Sequence, residues 1–250
     1  MLRFAAGLVV VLILALSLAH PAAALDVDVQ IVLAVDVSRS IDEDEAKLQR
    51  QGYIDAISDK KVIDAMLGGE KHRIAVAYVE WAGSAYQQTI IDWTVIDSPE
   101  AARRFADKLA EAPRSAEMWT SISAGILYSA AKFENNGFES KRKVIDVSGD
   151  GRNNSGPDMA TAREAVLSKG ISINGLPVVN DRPNFGRPPE KDLDIYYEQN
   201  VIGGPGSFLI VAKNFTDFTR AVRAKLIREI SDATPTGQSN GGRSTASLPQ

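Results

Sequence analysis

Short apolar runs alternate along the chain with longer segments in which apolar residues recur at helical spacing. The run 31–35 (IVLAV) is apolar at every position, as is typical of a central parallel strand that is covered on both faces. Strands that alternate with helices favour right-handed crossovers. We therefore expect one doubly wound α/β domain, with a mostly parallel sheet and helices on both faces. The predicted strands are 31–35, 73–81, 88–93, 143–148, 171–179 and 207–212, and the predicted helices are 41–65, 99–112, 120–134, 157–169, 193–199 and 214–230.

The two ends of the chain differ from this alternating pattern. Residues 1–24 contain Arg3, an apolar stretch over 4–19 and a small-residue cleavage site of three alanines, which together are typical of a secretory signal peptide. A periplasmic or secreted location is therefore predicted. The alternative is an uncleaved membrane anchor, although the stretch is shorter than the ~20 residues that a spanning helix usually needs. No later segment is long and apolar enough to span a membrane. The Ser-, Thr-, Gly- and Pro-rich residues 232–250 are predicted to be disordered, which leaves 25–231 as the folded domain.

Composition narrows the classes of function. The chain has a formal net charge of −4 and no stretch in which basic residues interleave with aromatic ones, so no nucleic-acid partner is predicted. It contains no cysteine, which excludes disulfides, thiolate metal ligands and cysteine nucleophiles. An exported domain without disulfides must derive its stability from a hydrophobic core, and a chain of this length can build one.

Oxygen-bearing side chains follow the predicted strands at positions where a cation could be held. Asp36, Ser38 and Ser40 stand as D-V-S-R-S directly after the first apolar run. Ligands of open α/β sheets bind beyond the carboxyl ends of the strands. Thr120 begins a predicted helix after a polar loop, and Asp150 follows the fourth predicted strand. Hard oxygen ligands with few carboxylates favour Mg²⁺, with Mn²⁺ or Ca²⁺ as alternatives, over zinc or copper.

With these three loops, the chain resembles the von Willebrand factor A domain and its metal-ion-dependent adhesion site. The motif of that site is D-x-S-x-S, a Thr on a second loop and an Asp, often as D-G, on a third. The resemblance covers almost the whole predicted domain, and the phrases YVEW, VIDVSGDG, INGLP and VIGGPG are similar to a bacterial exported subfamily of unassigned function. It implies a Rossmann-like fold, hydroxyl ligands at Ser38, Ser40 and Thr120, and a role for Asp36 and Asp150 either directly or through ordered water. It also implies a coordination position left open for the Glu or Asp of a partner protein.

The predicted site departs from the usual motif at its rim. Arg39 stands between the two serines, where Gly is frequent in the family, and Met118-Trp119 precede the second-loop threonine, where small residues are common. Because Arg and Trp are enriched at binding hot spots, Arg39, Trp119 and Arg152 are expected to contribute to partner choice. The alternatives are that the bulky residues obstruct the site, that Trp119 is a core residue and that 152–154 form a solvated loop.

These residues favour a non-enzymatic, metal-dependent module that binds a protein ligand. The first alternative is a metal-dependent hydrolase or phosphotransferase. An aspartate-nucleophile phosphotransferase would need a second acid at the position of Ser38. A Ser-His-Asp triad would have to use His72, which is the only histidine after the predicted signal peptide. No G-x-x-x-x-G-K-[ST] phosphate loop is present. The second alternative is a structural domain with a vestigial ion site. Asp146 and Glu80 lie in apolar predicted strands and need partners that the sequence does not name, and we expect a structural role for them rather than support of the ion.

Overall fold

The computed structural model describes residues 24–179 and 190–231 of the chain. The loop 180–189, nearly all of the predicted signal peptide and the predicted tail 232–250 lie outside the described residues. Within the two described ranges, no helix has both the length and the apolar character needed to cross a membrane.

Strands and helices alternate through the described part of the chain. The strands are β1 (Leu25–Asp26), β2 (Gln30–Asp36), β3 (Ile74–Trp81), β4 (Gln87–Ile96), β5 (Phe138–Glu139), β6 (Lys143–Gly149) and β7 (Ser172–Pro177). The helices are α1 (Glu43–Ser58), α2 (Lys60–Leu67), α3 (Pro99–Glu111), α4 (Ile122–Ala131), α5 (Met159–Leu167), α6 (Leu193–Tyr196) and α7 (Phe218–Ser231), with a π-helical turn at Tyr197–Val201 and a 3₁₀ turn at Phe215–Asp217.

The larger sheet has the strand order β4-β3-β2-β6-β7. Its strands β2, β3, β6 and β7 are parallel to one another, and the edge strand β4 is antiparallel to β3. The short strands β1 and β5 pair separately, in parallel. The predicted α/β architecture with a mostly parallel sheet is confirmed.

Strand β2 is the centre of the sheet, since it pairs with β3 on one side and with β6 on the other, and all of its residues are buried. Its side chains alternate between two apolar cores. Ile31, Leu33 and Val35 pack into the core beneath α1, α2, α3 and α7. Val32 and Ala34 pack into the core beneath α4, α5 and the π-helical turn. Helices thus cover both faces, which is why the central residues of the strand are all apolar.

The predicted helix over 41–65 is two helices in the structure, and the single-helix prediction is wrong at Asp59. Asp59 has an extended backbone (φ −69°, ψ 133°), so α1 ends there and α2 begins. Its side chain accepts a hydrogen bond from Lys61 N at 2.9 Å and caps the second helix. The first helix begins with a capping box formed by Asp42 and Glu45. The capping preference of Asp59 therefore outweighs the apolar spacing that continues past it.

The prediction of a regular last strand at 207–212 is wrong. The segment runs beside β7 but makes only isolated bridges to it among the described residues. The Phe208 N–H donates to the side-chain Oδ1 of Asn174, at 3.0 Å, instead of to a backbone carbonyl. Pro177 in β7 has no N–H to donate. A regular ladder of backbone hydrogen bonds between this segment and β7 is therefore interrupted at Phe208 and at Pro177.

Asp146 and Glu80 each have a buried cationic partner. Lys225 on α7 lies 2.5 Å from Asp146 on β6 (Nζ to Oδ1), and it also forms an ion pair with Glu229 one helical turn later. Arg50 on α1 forms an ion pair with Glu80 on β3. Both acids thus connect a helix to the sheet, α7 in one case and α1 in the other.

The buried carboxyl group of Glu229 makes stability depend on pH. Burial and the charge of Asp146 raise its pKa from 4.5 to about 7, although Lys225 and Asn174 oppose the shift. An acid whose pKa is raised in the folded state favours folding most below its unfolded pKa, and this contribution is lost as the pH rises through about 7. Between roughly pH 4.5 and pH 8, we therefore expect the unfolding free energy of the unaltered protein, relative to that of Glu229→Gln, to fall by on the order of 3 kcal/mol. Urea unfolding of both proteins across this range measures the difference, and a difference that stays constant with pH would contradict the expectation.

Candidate metal-binding site

The candidate residues lie where the order of the strands reverses. From β2 the chain passes first to β3 on one side of the sheet and later to β6 on the other, so the switch point lies beyond the carboxyl ends of β2 and β6. Asp36 is the last residue of β2, and Asp150 directly follows the last residue of β6. Open α/β sheets bind their ligands at such a switch point.

The structure brings all five predicted site residues together. Asp36 Oδ1 accepts a hydrogen bond from Ser38 N at 2.8 Å, and the hydroxyl oxygens of Ser38 and Ser40 lie 2.8 Å apart. Ser40 Oγ donates to Asp150 Oδ1 at 2.6 Å. Thr120 Oγ1 lies 3.5 Å from Ser38 Oγ. Three loops that are distant in the sequence thus place two carboxyl groups and three hydroxyl groups in one cluster.

Hydrogen bonds to the backbone fix the three loops to one another. Arg39 N donates to Glu117 O (2.8 Å) and Glu117 N donates to Val37 O (3.1 Å), which connects the first loop to the second. Thr120 N donates to the side-chain Oδ1 of Asn154 (2.9 Å), and Asn154 N donates to Thr120 O (2.8 Å), which connects the second loop to the third. The sequence predicts only a solvated loop at Asn154. In the structure, this residue positions Thr120.

Close packing at the ends of β2 and β6 holds Asp36 in place. Asp36 is fully buried, and Ser38 and Thr120 are nearly so. Gly149, the last residue of β6, leaves the room that the Asp36 side chain occupies, because a Cβ there would lie 2.8 Å from Asp36 Oδ2. That oxygen is buried and has no hydrogen-bond partner among the described residues. One carboxylate oxygen is therefore available to a further ligand.

The electrostatics of the cluster favour a cation. Burial, followed by the charge of Asp150, raises the pKa of Asp36 well above its usual 3.8. Burial also raises the pKa of Asp150 to about 6, against the opposing hydrogen bond from Ser40. A buried and a half-buried carboxyl group in one cluster repel each other when both are charged, and a divalent cation bound there would remove that penalty.

The donor set also restricts the kind of cation. Among residues 24–179 and 190–231, no group of three or more His, Cys, Asp and Glu side chains is placed to hold a metal ion. A cation at this cluster would therefore depend on the three hydroxyls as well as the two carboxylates. Such an all-oxygen set with few charges fits a hard cation.

Two of the three predicted rim residues project from the site. Trp119 is 60% exposed and Met118 is 58% exposed, so the alternative of Trp119 as a core residue is wrong. Trp119 has a φ of +70°, which is unusual for a bulky side chain. The residues on both sides hold it there, since Gly83 N donates to Met118 O (3.1 Å) and Thr120 N is bound as described above. The side chain of the exposed Arg39 forms no hydrogen bond or ion pair with the described part of the chain.

The third predicted rim residue, Arg152, is already engaged by the protein. One of its terminal nitrogens donates to Lys191 O at 2.8 Å, its Nε lies 3.3 Å from Glu190 Oε2, and its guanidinium lies over the Tyr196 ring at 4.9 Å. It therefore attaches residues 190–196 to the loop that carries Asp150.

Known proteins resemble this chain mainly in fold. A family described as "Protein of unknown function (DUF1194)" matches residues 26–234, and no curated protein matches. The pilus adhesin SpaC from Lactobacillus rhamnosus GG, in its open conformation, is 16% identical with a TM-score of 0.57, over 82% of this chain and 30% of the adhesin. Proximal thread matrix protein 1 from the mussel byssus, with a zinc-occupied MIDAS motif, is 12% identical with a TM-score of 0.53, over 84% of this chain and 48% of that protein. A von Willebrand factor type A structure from Catenulispora acidiphila is 11% identical with a TM-score of 0.53, over 83% of this chain and 43% of that one.

At such low identities these structures establish the fold, and this chain spans less than half the length of each of the three. The family match, in contrast, covers nearly the whole region that the structure describes. The chain belongs to the family described as DUF1194, and its fold is that of the von Willebrand factor A domain.

Proposed function

We propose that the protein is an exported, metal-dependent protein-binding module, in which a divalent cation joins it to an acidic side chain of a partner. The observation that carries the proposal is the meeting of two carboxyl and three hydroxyl groups at the switch point of the sheet. At most two carboxylates can reach the cation and the hydroxyls carry no charge, so a cation that either carboxylate holds only through water stays underneutralised and favours an acidic group from outside as a further ligand. The cation would be held by Asp36, Ser38, Ser40, Thr120 and Asp150.

The structural neighbours support this reading of the site. SpaC is a pilus adhesin, and the mussel protein holds zinc in its MIDAS motif. For the present chain we expect Mg²⁺, with Mn²⁺ or Ca²⁺ as alternatives, because its donors are all oxygen atoms. The signal-peptide pattern of residues 1–24 supports export to the periplasm or to the exterior.

The rim would select the partner. Arg39 is exposed and has no ion-pair partner within residues 24–179 and 190–231, so it offers a positive charge between Ser38 and Ser40, which favours an acidic partner surface. Trp119 offers a rigid, exposed aromatic face next to Thr120, and such residues dominate binding energies at interfaces. Arg152 would contribute less than the sequence predicts, because Glu190 and Tyr196 already occupy it.

A catalytic role is not supported by the geometry. His72, the histidine within the described ranges, precedes the amino end of β3, whereas Asp36 lies at the carboxyl end of the parallel neighbour β2. Its Nδ1 lies 2.9 Å from the carbonyl oxygen of Leu67, so it does not reach the serines of the site. A nucleophile and its base must lie within hydrogen-bond reach of each other. We therefore propose a non-enzymatic function.

Calorimetric titration with Mg²⁺, Mn²⁺ and Ca²⁺ tests the metal site. We expect saturable binding of one ion per chain, and about ten-fold weaker binding in Ser38→Ala, which is roughly the loss of 1.4 kcal/mol from one hydroxyl ligand. Ser129→Ala is the matched control, since Ser129 is equally buried but lies on α4. In the unaltered protein, an ion concentration of about 100 times Kd should raise the unfolding free energy by about 2.7 kcal/mol. Absence of binding, or equal binding by Ser38→Ala, would exclude the metal site.

Capture of partners from the native cell envelope tests the second half of the proposal. The immobilised protein should retain its partner in Mg²⁺ and release it in a chelator, and Ser38→Ala should retain less. Capture that is the same in both conditions would favour a structural domain with a vestigial ion site. Metal-dependent turnover in a phosphatase and esterase screen, lost in Asp150→Ala, would favour the enzymatic alternative.

A further inference from the structure

Two buried oxygen atoms that lack hydrogen-bond partners among the described residues lie near the same point behind the site. Tyr197, in the π-helical turn, is fully buried, and among the described residues its hydroxyl has no hydrogen-bond partner. The same holds for Asp36 Oδ2. Both atoms lie within 3 Å of the point that a Cβ on Gly149 would occupy, at 2.9 Å and 2.8 Å. A donor and an acceptor that are each costly to bury alone thus share one small space.

We propose that Tyr197 is a positioning residue for the metal site, whose hydroxyl donates a hydrogen bond to a water molecule that in turn donates to Asp36 Oδ2. The inference rests on the proposed function, because it assigns Tyr197 the task of orienting a ligand of the cation. A tyrosine hydroxyl carries its proton at neutral pH and can donate to that water molecule. Ser38 N already fixes Asp36 Oδ1, so a donor at Oδ2 fixes the plane of the carboxylate as well. Groups that orient metal ligands in this way tune the affinity of the site.

The surroundings of Tyr197 hold its ring in the required place. A Cβ on Gly175 of β7 would lie 3.0 Å from the ring, so Gly175 and Gly149, on adjacent strands, both leave space for it. Leu193 and Val201, one turn before and after, are buried in the same apolar core. The ring is therefore packed on the sheet while the hydroxyl extends to the end of β2.

The preceding residue joins the same segment to another loop of the site. Asn153 N donates to the Tyr196 hydroxyl at 3.3 Å, and Arg152 lies over the Tyr196 ring. Tyr196 thus contacts the loop after Asp150, and the hydroxyl of the adjacent Tyr197 lies near the end of β6, where the Asp36 carboxylate also lies. A π-helical turn at this point is consistent with such a role, since π-turns are frequent at functional sites.

The variant Tyr197→Phe tests the inference, because it removes the hydroxyl and keeps the ring. We expect its Mg²⁺ affinity, measured by calorimetry, to be about 10-fold lower than that of the unaltered protein. Tyr53→Phe is the matched control, since the hydroxyl of the fully buried Tyr53 lies 3.0 Å from Ser148 Oγ and does not contact Asp36. Its Mg²⁺ affinity should remain within about two-fold of that of the unaltered protein, a change well below 1 kcal/mol. If Tyr197 only packs against its neighbours, the Mg²⁺ affinity of Tyr197→Phe will equal that of the unaltered protein. That result would overturn the inference.

A second measurement does not depend on the cation. In a chelator, Tyr197→Phe should change the unfolding equilibrium constant by about five-fold or more when Asp36 is present. In the Asp36→Ala background the factor should differ, because residues in one hydrogen-bond network couple in double-mutant cycles. Additive effects would overturn the proposed hydrogen-bonded link between Tyr197 and Asp36. Absence of metal binding by the unaltered protein would instead overturn the proposed function, so the two failures are distinguishable.

Discussion

Replacement of Lys225 by Met is expected to lower the unfolding free energy by about 3–5 kcal/mol, the usual effect of removing one partner from a buried ion pair. Lys225 is fully buried, and it is the shared cation for Asp146 on β6 and Glu229 on α7. Without it, two buried carboxyl groups remain next to each other, and each must either carry an uncompensated charge or take up a proton. Urea unfolding at pH 7, followed by circular dichroism, measures the loss.

An exposed lysine with the same helical spacing provides the control for this prediction. Lys60 on α2 forms an i,i+4 ion pair with Asp64 at 2.7 Å, and its side chain is 86% exposed. Lys60→Met should therefore change the unfolding free energy by no more than about 0.5–1 kcal/mol. Asp146→Asn and Glu229→Gln introduced together with Lys225→Met should restore part of the lost stability, because they remove the stranded charges. A loss below about 1 kcal/mol in Lys225→Met alone would show that the buried cluster is not maintained by its cation.

Local patterns in the sequence were sufficient for much of the fold. The apolar residues 31–35 could be assigned to a central strand because burial on both faces leaves no polar position there. The alternation of strands and helices then fixed the parallel arrangement, since parallel strands require crossovers. Where a single residue acts against the pattern, prediction from spacing was wrong. The capping preference of Asp59 divides one predicted helix, and the side chain of Asn174 takes the hydrogen bond that a regular strand would use at Phe208.

The buried partners of charged residues could not be identified in this way. Asp146 and Lys225 are distant in the sequence and meet only because α7 packs against β7, the strand beside β6. Nothing in the local sequence of either residue names the other. The same holds for Glu80 and Arg50, which belong to different elements on one face of the sheet. Such pairs follow from tertiary packing, and a sequence pattern indicates only that a buried acid needs some partner.

The candidate site was partly predictable for a topological reason. Asp36 and Asp150 follow strands whose carboxyl ends meet at one switch point, so the sequence order of strands and helices is enough to bring their loops together. Thr120 follows no parallel strand, and its place rested on resemblance to a known motif. Asn154 and Tyr197 went unrecognised because an amide in a polar loop and a tyrosine beside another tyrosine are ordinary features of soluble proteins. Only their contacts with Thr120 and the Asp36 region distinguish them.

Gly149→Ala is expected to weaken Mg²⁺ binding by about 100-fold while the fold is retained. The added Cβ would lie 2.8 Å from Asp36 Oδ2, 2.9 Å from the Tyr197 hydroxyl and 3.1 Å from Asp36 Cβ, distances at which neighbouring atoms must move. Asp36 is fully buried and its Oδ1 is bound to Ser38 N, so the carboxylate can move only by leaving its place in the site. A 100-fold loss corresponds to about 2.7 kcal/mol, within the range of about 1–3 kcal/mol that overpacking typically costs.

Gly151→Ala, two residues later in the loop that follows β6, separates this steric effect from a general effect of replacing glycine. A Cβ on Gly151 would lie 3.5 Å from Thr120 Oγ1, which is an ordinary contact, and neither glycine has a positive φ that alanine would strain. Calorimetric titration of the two variants should therefore give nearly unchanged Mg²⁺ affinity for Gly151→Ala and strongly reduced affinity for Gly149→Ala. Thermal unfolding in a chelator establishes whether both variants are folded. If the two variants bind Mg²⁺ equally well, the cation does not depend on the position of Asp36, and a different set of ligands must be sought.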